Sequence, residues 1–150
     1  ILPETVARLA EIDNIIGIKE ACASLEQISD VIRFCPEDFI LLSGDDFTSM
    51  PTTLIGGKGV ISVISNVDPA GMARMIEAAM NGNLQVANEE HYRLFTMMKL
   101  MFKSPSPGPA KKALEMLGRI QDGSPRLPMT PADEQTRQAL AEEMSRLGML

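Results

Sequence analysis

With 150 residues, the chain has room for one domain with a sizeable core, and its 45% hydrophobic and 23% charged residues exclude disorder. Fourteen Lys and Arg against twenty Asp and Glu leave a net charge of −6, which repels phosphate backbones and anionic lipid. Six aromatics and no Trp offer few stacking platforms, so nucleic acid is excluded as a partner.

The uncharged run from Gly59 to Val67 is far shorter than the roughly twenty residues a membrane-spanning helix needs, so no membrane partner is expected either. No charged-then-apolar leader of the secretory kind is visible, and the chain opens with Ile1, which reads as a processed chain or a piece of a longer polypeptide. Cys22 and Cys35 have no His or further Cys at metal-ligand spacing. They read as buried small apolar thiols in a reducing, cytoplasmic setting, with no metal site.

In chain order, a helix is expected over Pro3 to Ala10, followed by the apolar run Asn14 to Ile18. Ser24-Leu25-Glu26-Gln27 is a capping-box pattern, after which Leu25, Ile28, Val31 and Ile32 repeat at helical spacing. Phe39 to Leu42 is a second apolar run. Asp46 is expected to cap a short helix that contains Pro51 and stops at Gly56-Gly57. Gly59 to Ile64 is the third run. Continuous apolar strands alternating with helices imply parallel strands joined by right-handed crossovers.

Beyond Val67 the strand signal ends. Asp68-Pro69 opens a helix closed by Gly82, and Leu84 to Phe102 forms another. Pro107-Gly108-Pro109 breaks the chain before a helix from Ala110 to Leu117. Gln121 to Met129 reads as loop, and Thr130-Pro131 starts a last helix running to Leu147 with Asp133 in its first turn. Residues 1–67 thus form three βα-type units and residues 68–150 a helical region. Three parallel strands leave two open edges, a pattern that fits the closing part of a larger barrel.

Parallel strands end on one edge, where α/β proteins bind ligands. Lys19-Glu20, Ser43-Gly44-Asp45-Asp46 and Ser65-Asn66 are therefore expected as neighbours there. Lys19 closes an apolar run, where desolvation frees an amine to act as a nucleophile; the alternative is pairing with Glu20 or Asp45 on a solvated rim. With Asp46 capping a helix, Asp45 is left for a ligand or ion pair. Gly56-Gly57-Lys58-Gly59 precedes a strand, so it lacks the helix N-terminus that phosphate loops use. Met97, Met98 and Met101 with Leu94 and Phe102 read as core or subunit interface, and His91 as a satisfied surface or helix residue.

Gly17-Ile18-Lys19-Glu20-Ala21, Leu41-Leu42-Ser43-Gly44-Asp45-Asp46, Gly56 to Val63, Asn66-Val67 and Arg126 to Pro131 together resemble the dihydrodipicolinate (4-hydroxy-tetrahydrodipicolinate) synthase family. This family belongs to the N-acetylneuraminate lyase and class I aldolase superfamily. The resemblance covers the whole chain and implies the C-terminal half of a (β/α)8 TIM barrel, holding strands six to eight and the helical C-terminal region. It further implies that Lys19 attacks the ketone of pyruvate to form a Schiff base, whose enamine adds to aspartate-semialdehyde in lysine biosynthesis. Gly44 and Asp45 would line the mouth near the second substrate, and the Ile61 carbonyl would lie close to the lysine nitrogen. No cofactor is implied. The expected partners are pyruvate, aspartate-semialdehyde, the N-terminal half of the same enzyme and further copies in a dimer or tetramer.

The family's Tyr-Asn-x-Pro and Thr-Thr segments lie further upstream of the lysine than the residues preceding Lys19 reach. Cys22-Ala23 replaces the family's usual Thr-Gly, and Ser106 to Lys111 departs from Asn-Pro-Ile-Pro-Val-Lys. Two other readings are an N-acetylneuraminate lyase or 2-keto-3-deoxy sugar acid aldolase, and a catalytically inactive structural fragment. Glu20-Ala21, the Gly-Val-Ile-Ser-Val run and Arg-Leu-Pro-Met-Thr-Pro favour the synthase.

Overall fold

The computed structural model describes residues 1–150, which form two compact units: residues 1–62 with 74–88, and residues 63–73 with 89–150. The order is α1 (Pro3–Leu9), β1 (Gly17–Glu20), α2 (Leu25–Phe34), β2 (Ile40–Ser43), α3 (Asp46–Leu54), a 3-10 turn (Ile64–Asn66), α4 (Pro69–Met80), α5 (Leu84–Leu100), α6 (Gly108–Met116) and α7 (Glu134–Arg146). The chain is α/β, with its strands in the first unit.

In that first unit β1 and β2 pair in parallel, Gly17 opposite Ile40 through Glu20 opposite Ser43. The third strand expected from Gly59 is reduced to one bridge, Val60 to Ser43. Its ladder is present but short: Lys58 N donates to Leu41 O, Ser43 N to Gly59 O and Ile61 N to Ser43 O, at 2.8–2.9 Å. Past Ile61 the backbone curls into the 3-10 turn, so Ser65 and Asn66 lie in that turn and not at a strand end. The first strand is also displaced. A turn closed by Ile15 N to Ile12 O occupies the start of the apolar run, and Lys19 becomes the third residue of β1.

Strand side chains alternate between faces. Ile18 and Leu41 point to one face, where Val6 of α1 and Ile28 and Val31 of α2 bury it. Lys19, Ile40 and Leu42 point to the other. The helix α2 forms because Ser24 Oγ accepts from Gln27 N at 3.2 Å, and its apolar stripe covers the sheet. Only half of the capping box is made. The Gln27 amide turns to Glu20 Oε2 at 3.0 Å instead of returning to the backbone of Ser24.

Ala78, Ala79 and Ala87, with Met50 and Val86 against them, form a smaller cluster of the same unit.

In the second unit Asp68 Oδ1 accepts from Gly71 N, and Arg93 bridges Asp68 at 2.5 Å and Glu90 at 2.6 Å. Leu94, Met97, Met98 and Met101 are fully buried, as expected of core, whereas Phe102 is half exposed. The helix α6 packs against α7; it begins at Gly108, earlier than expected, because Pro109 is tolerated in a first helical turn. The last helix begins later than expected, at Glu134 rather than Thr130. Asp133 is its N-cap and accepts from Thr136 N at 2.7 Å, so residues 130–132 remain outside the helix. The Asp133 carboxylate also accepts from Ser104 Oγ at 2.8 Å, and Ser104 Oγ lies 2.9 Å from Thr136 Oγ1, which joins α7 to the turn after α5.

Candidate active site

The C-terminal ends of β1 and β2 bring Lys19, Gly44 and Ile61 together. Lys19 lines a groove of about 280 Å3 on the uncovered face of the sheet, with Gly17, Ile40, Leu42 and Ile61. Ile16, Ile40 and Ile61 are exposed there. Lys19 is itself exposed, so the desolvation expected of it is not supplied by residues 1–150. Its stem lies over Gly44: a Cβ on that glycine would stand 2.6 Å from Lys19 Cε and 2.7 Å from Ala21 Cβ.

Neither carboxylate proposed as a rim partner is paired with the lysine; both are bonded to other groups. The alternation of the strand puts Glu20 on the opposite, buried face. There it accepts from Cys22 N at 2.8 Å and from the Gln27 amide. Burial by itself raises the Glu20 carboxyl. The bonds from the Gln27 amide, the Cys22 thiol and the Cys22 and Ala21 backbone outweigh it and hold the group below its ordinary 4.5. A carboxyl depressed on folding adds stability that is fully present above its ordinary value and is lost as pH falls through the lower folded one. We expect the urea midpoint of Glu20→Gln to change less than that of the unsubstituted protein between about pH 6 and pH 3. An equal acid loss in both would show that Glu20 carries no such linkage.

The roles assigned to Asp45 and Asp46 are exchanged. Asp45, not Asp46, caps α3: its Oδ2 accepts from Thr48 N at 2.9 Å and from Thr48 Oγ1 at 2.7 Å. The reason is that β2 ends at Ser43, which leaves Asp45 as the last extended residue (φ −127°, ψ 124°), while Asp46 already lies in the first helical turn and is buried. A cap of this kind contributes about 1 kcal/mol. One oxygen of Asp45 is therefore engaged locally rather than presented to a ligand.

Cys22 is exposed, against the burial expected of it, and Cys35 is half-buried. Cys22 leaves the strand at the turn before α2, outside the cluster that Cys35 joins. Burial and the neighbouring Glu20 push the Cys22 thiol up, and burial pushes up Cys35, so neither is an activated thiolate. Ala23 has φ +58°, a left-handed conformation that costs an L-residue roughly 1–2 kcal/mol. The glycine usual at this position in the resembling family would remove that cost. His91 is half-buried with its Nδ1 buried and unpartnered, not satisfied, and burial pushes its pKa down.

The chain matches, over residues 1–147, the family described as the Dihydrodipicolinate synthetase family. It belongs to that family. It is 65% identical to a 4-hydroxy-tetrahydrodipicolinate synthase of Desulfotalea psychrophila, over all of this chain and 50% of that protein. It superposes on a dihydrodipicolinate synthase from Thermotoga maritima with a TM-score of 0.95 at 38% identity, covering 99% of this chain and 52% of the other. A chloride-inhibited dihydrodipicolinate synthase from Acinetobacter baumannii, complexed with pyruvate, gives a TM-score of 0.94 at 33% identity, with coverage of 99% and 51%. The chain thus spans about half the length of the dihydrodipicolinate synthases it matches. No helix is long and apolar enough to cross a membrane.

Proposed function

We propose that this chain is the C-terminal half of a Schiff-base synthase that condenses pyruvate with aspartate-semialdehyde to 4-hydroxy-tetrahydrodipicolinate in lysine biosynthesis. Residues 1–67 then supply barrel strands six to eight, and residues 68–150 the last barrel helix and the helical C-terminal region. Support for the C-terminal half comes from the element order: once the third ladder closes at Ile61 only helices follow, whereas an earlier stretch of a (β/α)8 barrel keeps alternating.

The observation that carries the reading is Lys19 itself, an amine on the apolar inner face of a parallel sheet, near the strand ends where barrel enzymes keep their chemistry. In this mechanism the amine adds to the pyruvate ketone and water leaves. The resulting iminium loses a methyl proton to give an enamine, which forms the new carbon–carbon bond as the aldehyde oxygen takes a proton and becomes a hydroxyl; the semialdehyde's own amine then adds to the regenerated iminium, closing the ring and expelling the Lys19 amine. Ile40, Leu42 and Ile61 keep that face apolar. With the remaining strands closing the barrel over it, the lysine sheds the water it now meets. Gly44 and Ile61 flank the nucleophile, and Asp45 stands at the mouth.

The 65% identity to a protein named as the synthase, together with Glu20-Ala21 directly after the lysine, favours this chemistry over the lyase and sugar-acid aldolase readings. The enzyme so formed is cytoplasmic and assembles as a dimer or tetramer.

The test is to treat the complete enzyme with pyruvate and borohydride and to map the reduced adduct by peptide mass. The adduct is expected on the peptide carrying Lys19; an adduct on another lysine, or none, overturns the reading.

A further inference from the structure

We propose that Gly44 is a positioning residue for Lys19: its missing side chain is the space in which the lysine stem lies, and this holds the amine at its reacting position. The inference rests on the Schiff-base reading of Lys19.

Gly44 is not needed for its backbone. Its φ lies outside the left-handed region, unlike Gly56 and Gly59, which have φ of +123° and +150°. It is needed for room. A Cβ there would lie 2.6 Å from Cε and 3.1 Å from Cγ of Lys19, and 2.7 Å from Ala21 Cβ; separations under 3.0 Å essentially never occur for real Cβ atoms.

Nor can residue 44 retreat. Its N–H donates to Glu20 O at 2.7 Å. On either side, Ser43 N–H is held by Gly59 O, and Asp45 N–H by Ser43 Oγ at 3.2 Å, with Ser43 Oγ donating in turn to Asp45 O at 2.9 Å. The flexible partner in the contact is the lysine tail, so the tail moves.

Two clashes of different character can be separated. The contact with Ala21 Cβ is rigid and threatens the fold, while the contact with Lys19 threatens only the position of the amine. Ala21→Gly removes the first. The comparison is therefore between Ala21→Gly and Ala21→Gly/Gly44→Ala in the complete enzyme, read by the rate of borohydride-trappable pyruvate adduct on Lys19.

A misplacement of about 1 Å costs on the order of 100-fold. We expect a loss of that size in the double variant at a melting temperature within a few degrees of the single one. In its crystal structure Lys19 Cε should have moved to ordinary contact with the new Cβ, 3.4 Å or more.

A trapping rate within about threefold of Ala21→Gly, or an unmoved Cε, overturns the assignment of Gly44 alone. A wild-type enzyme that forms no adduct on Lys19 overturns the Schiff-base reading, and with it the purpose given to Gly44. Should the double variant not fold, Lys19→Ala/Ala21→Gly/Gly44→Ala decides. A folded triple variant shows that the lysine stem fills the space, and an unfolded one overturns the proposal.

Discussion

Lys19→Ala should bring condensation of pyruvate with aspartate-semialdehyde by the complete enzyme down to background and leave no pyruvate adduct reducible by borohydride. A nucleophile acts as part of a unit, and its removal alone has cost about 10⁶-fold where it has been measured in another covalent enzyme. Lys19→Arg should fail equally. Guanidinium keeps the charge and the length, but it stays protonated at any working pH and has no free amine to attack a ketone. Because Lys19 is exposed on the sheet face and its neighbours Glu20 and Asp45 are hydrogen-bonded to other groups, neither substitution strands a buried partner. The melting temperature should therefore hardly move. A coupled reductase assay and peptide mapping check the expectation, and turnover within tenfold of wild type in either variant would remove Lys19 from the chemistry.

Residues 1–150 purified alone should show no measurable condensation, and should self-associate. The physical reason lies in the bare side of the two-stranded sheet. β1 has a strand on one edge only, and the face bearing Ile40, Leu42 and Ile61 has nothing over it. Unpaired edges and exposed apolar surface of this kind drive association. By the family resemblance the tyrosine that relays protons and the threonines that hold the pyruvate carboxylate lie in the other half. Loss of a proton-transfer group costs typically 10²–10⁴-fold, and loss of an anchor adds a positioning cost. Refolding together with the separately expressed N-terminal half should restore activity and disperse the aggregates. Clear turnover by residues 1–150 alone would mean that the chemistry has been assigned to the wrong design.

Much of this was legible in the sequence because it is local. Ser24 and Gln27 mark the start of α2 through a backbone bond three residues long, and Gly82, Gly118 and Gly148 mark helix ends through positive φ. The place of Lys19 near a strand end was legible too, from the apolar run it closes.

What the sequence left undecided depends on contacts between segments. Which of Asp45 and Asp46 caps α3 turns on where β2 lets go, and that is fixed by bonds from residues 58–61 that no spacing rule contains. The third strand is strongly β-branched, yet with only β2 beside it the ladder ends after Ile61. The burial expected around Lys19 is not met within residues 1–150, where the lysine stands exposed on the sheet face. Gln27 reads in sequence as half of a capping box, and its tie to Glu20 becomes visible only once strand and helix are docked.

The knot of Ser104, Asp133 and Thr136 sets how the end of the second unit comes apart. Ser104 and Thr136 are buried, and their hydroxyls are satisfied by each other and by the cap of α7. Fraying of α7 from its first turn would leave both of them without partners away from water, at roughly 1–3 kcal/mol for each orphaned group. This makes partial opening unfavourable. The helix and the turn after α5 separate together or not at all, so their slowest amide protons exchange with solvent as one cooperative group.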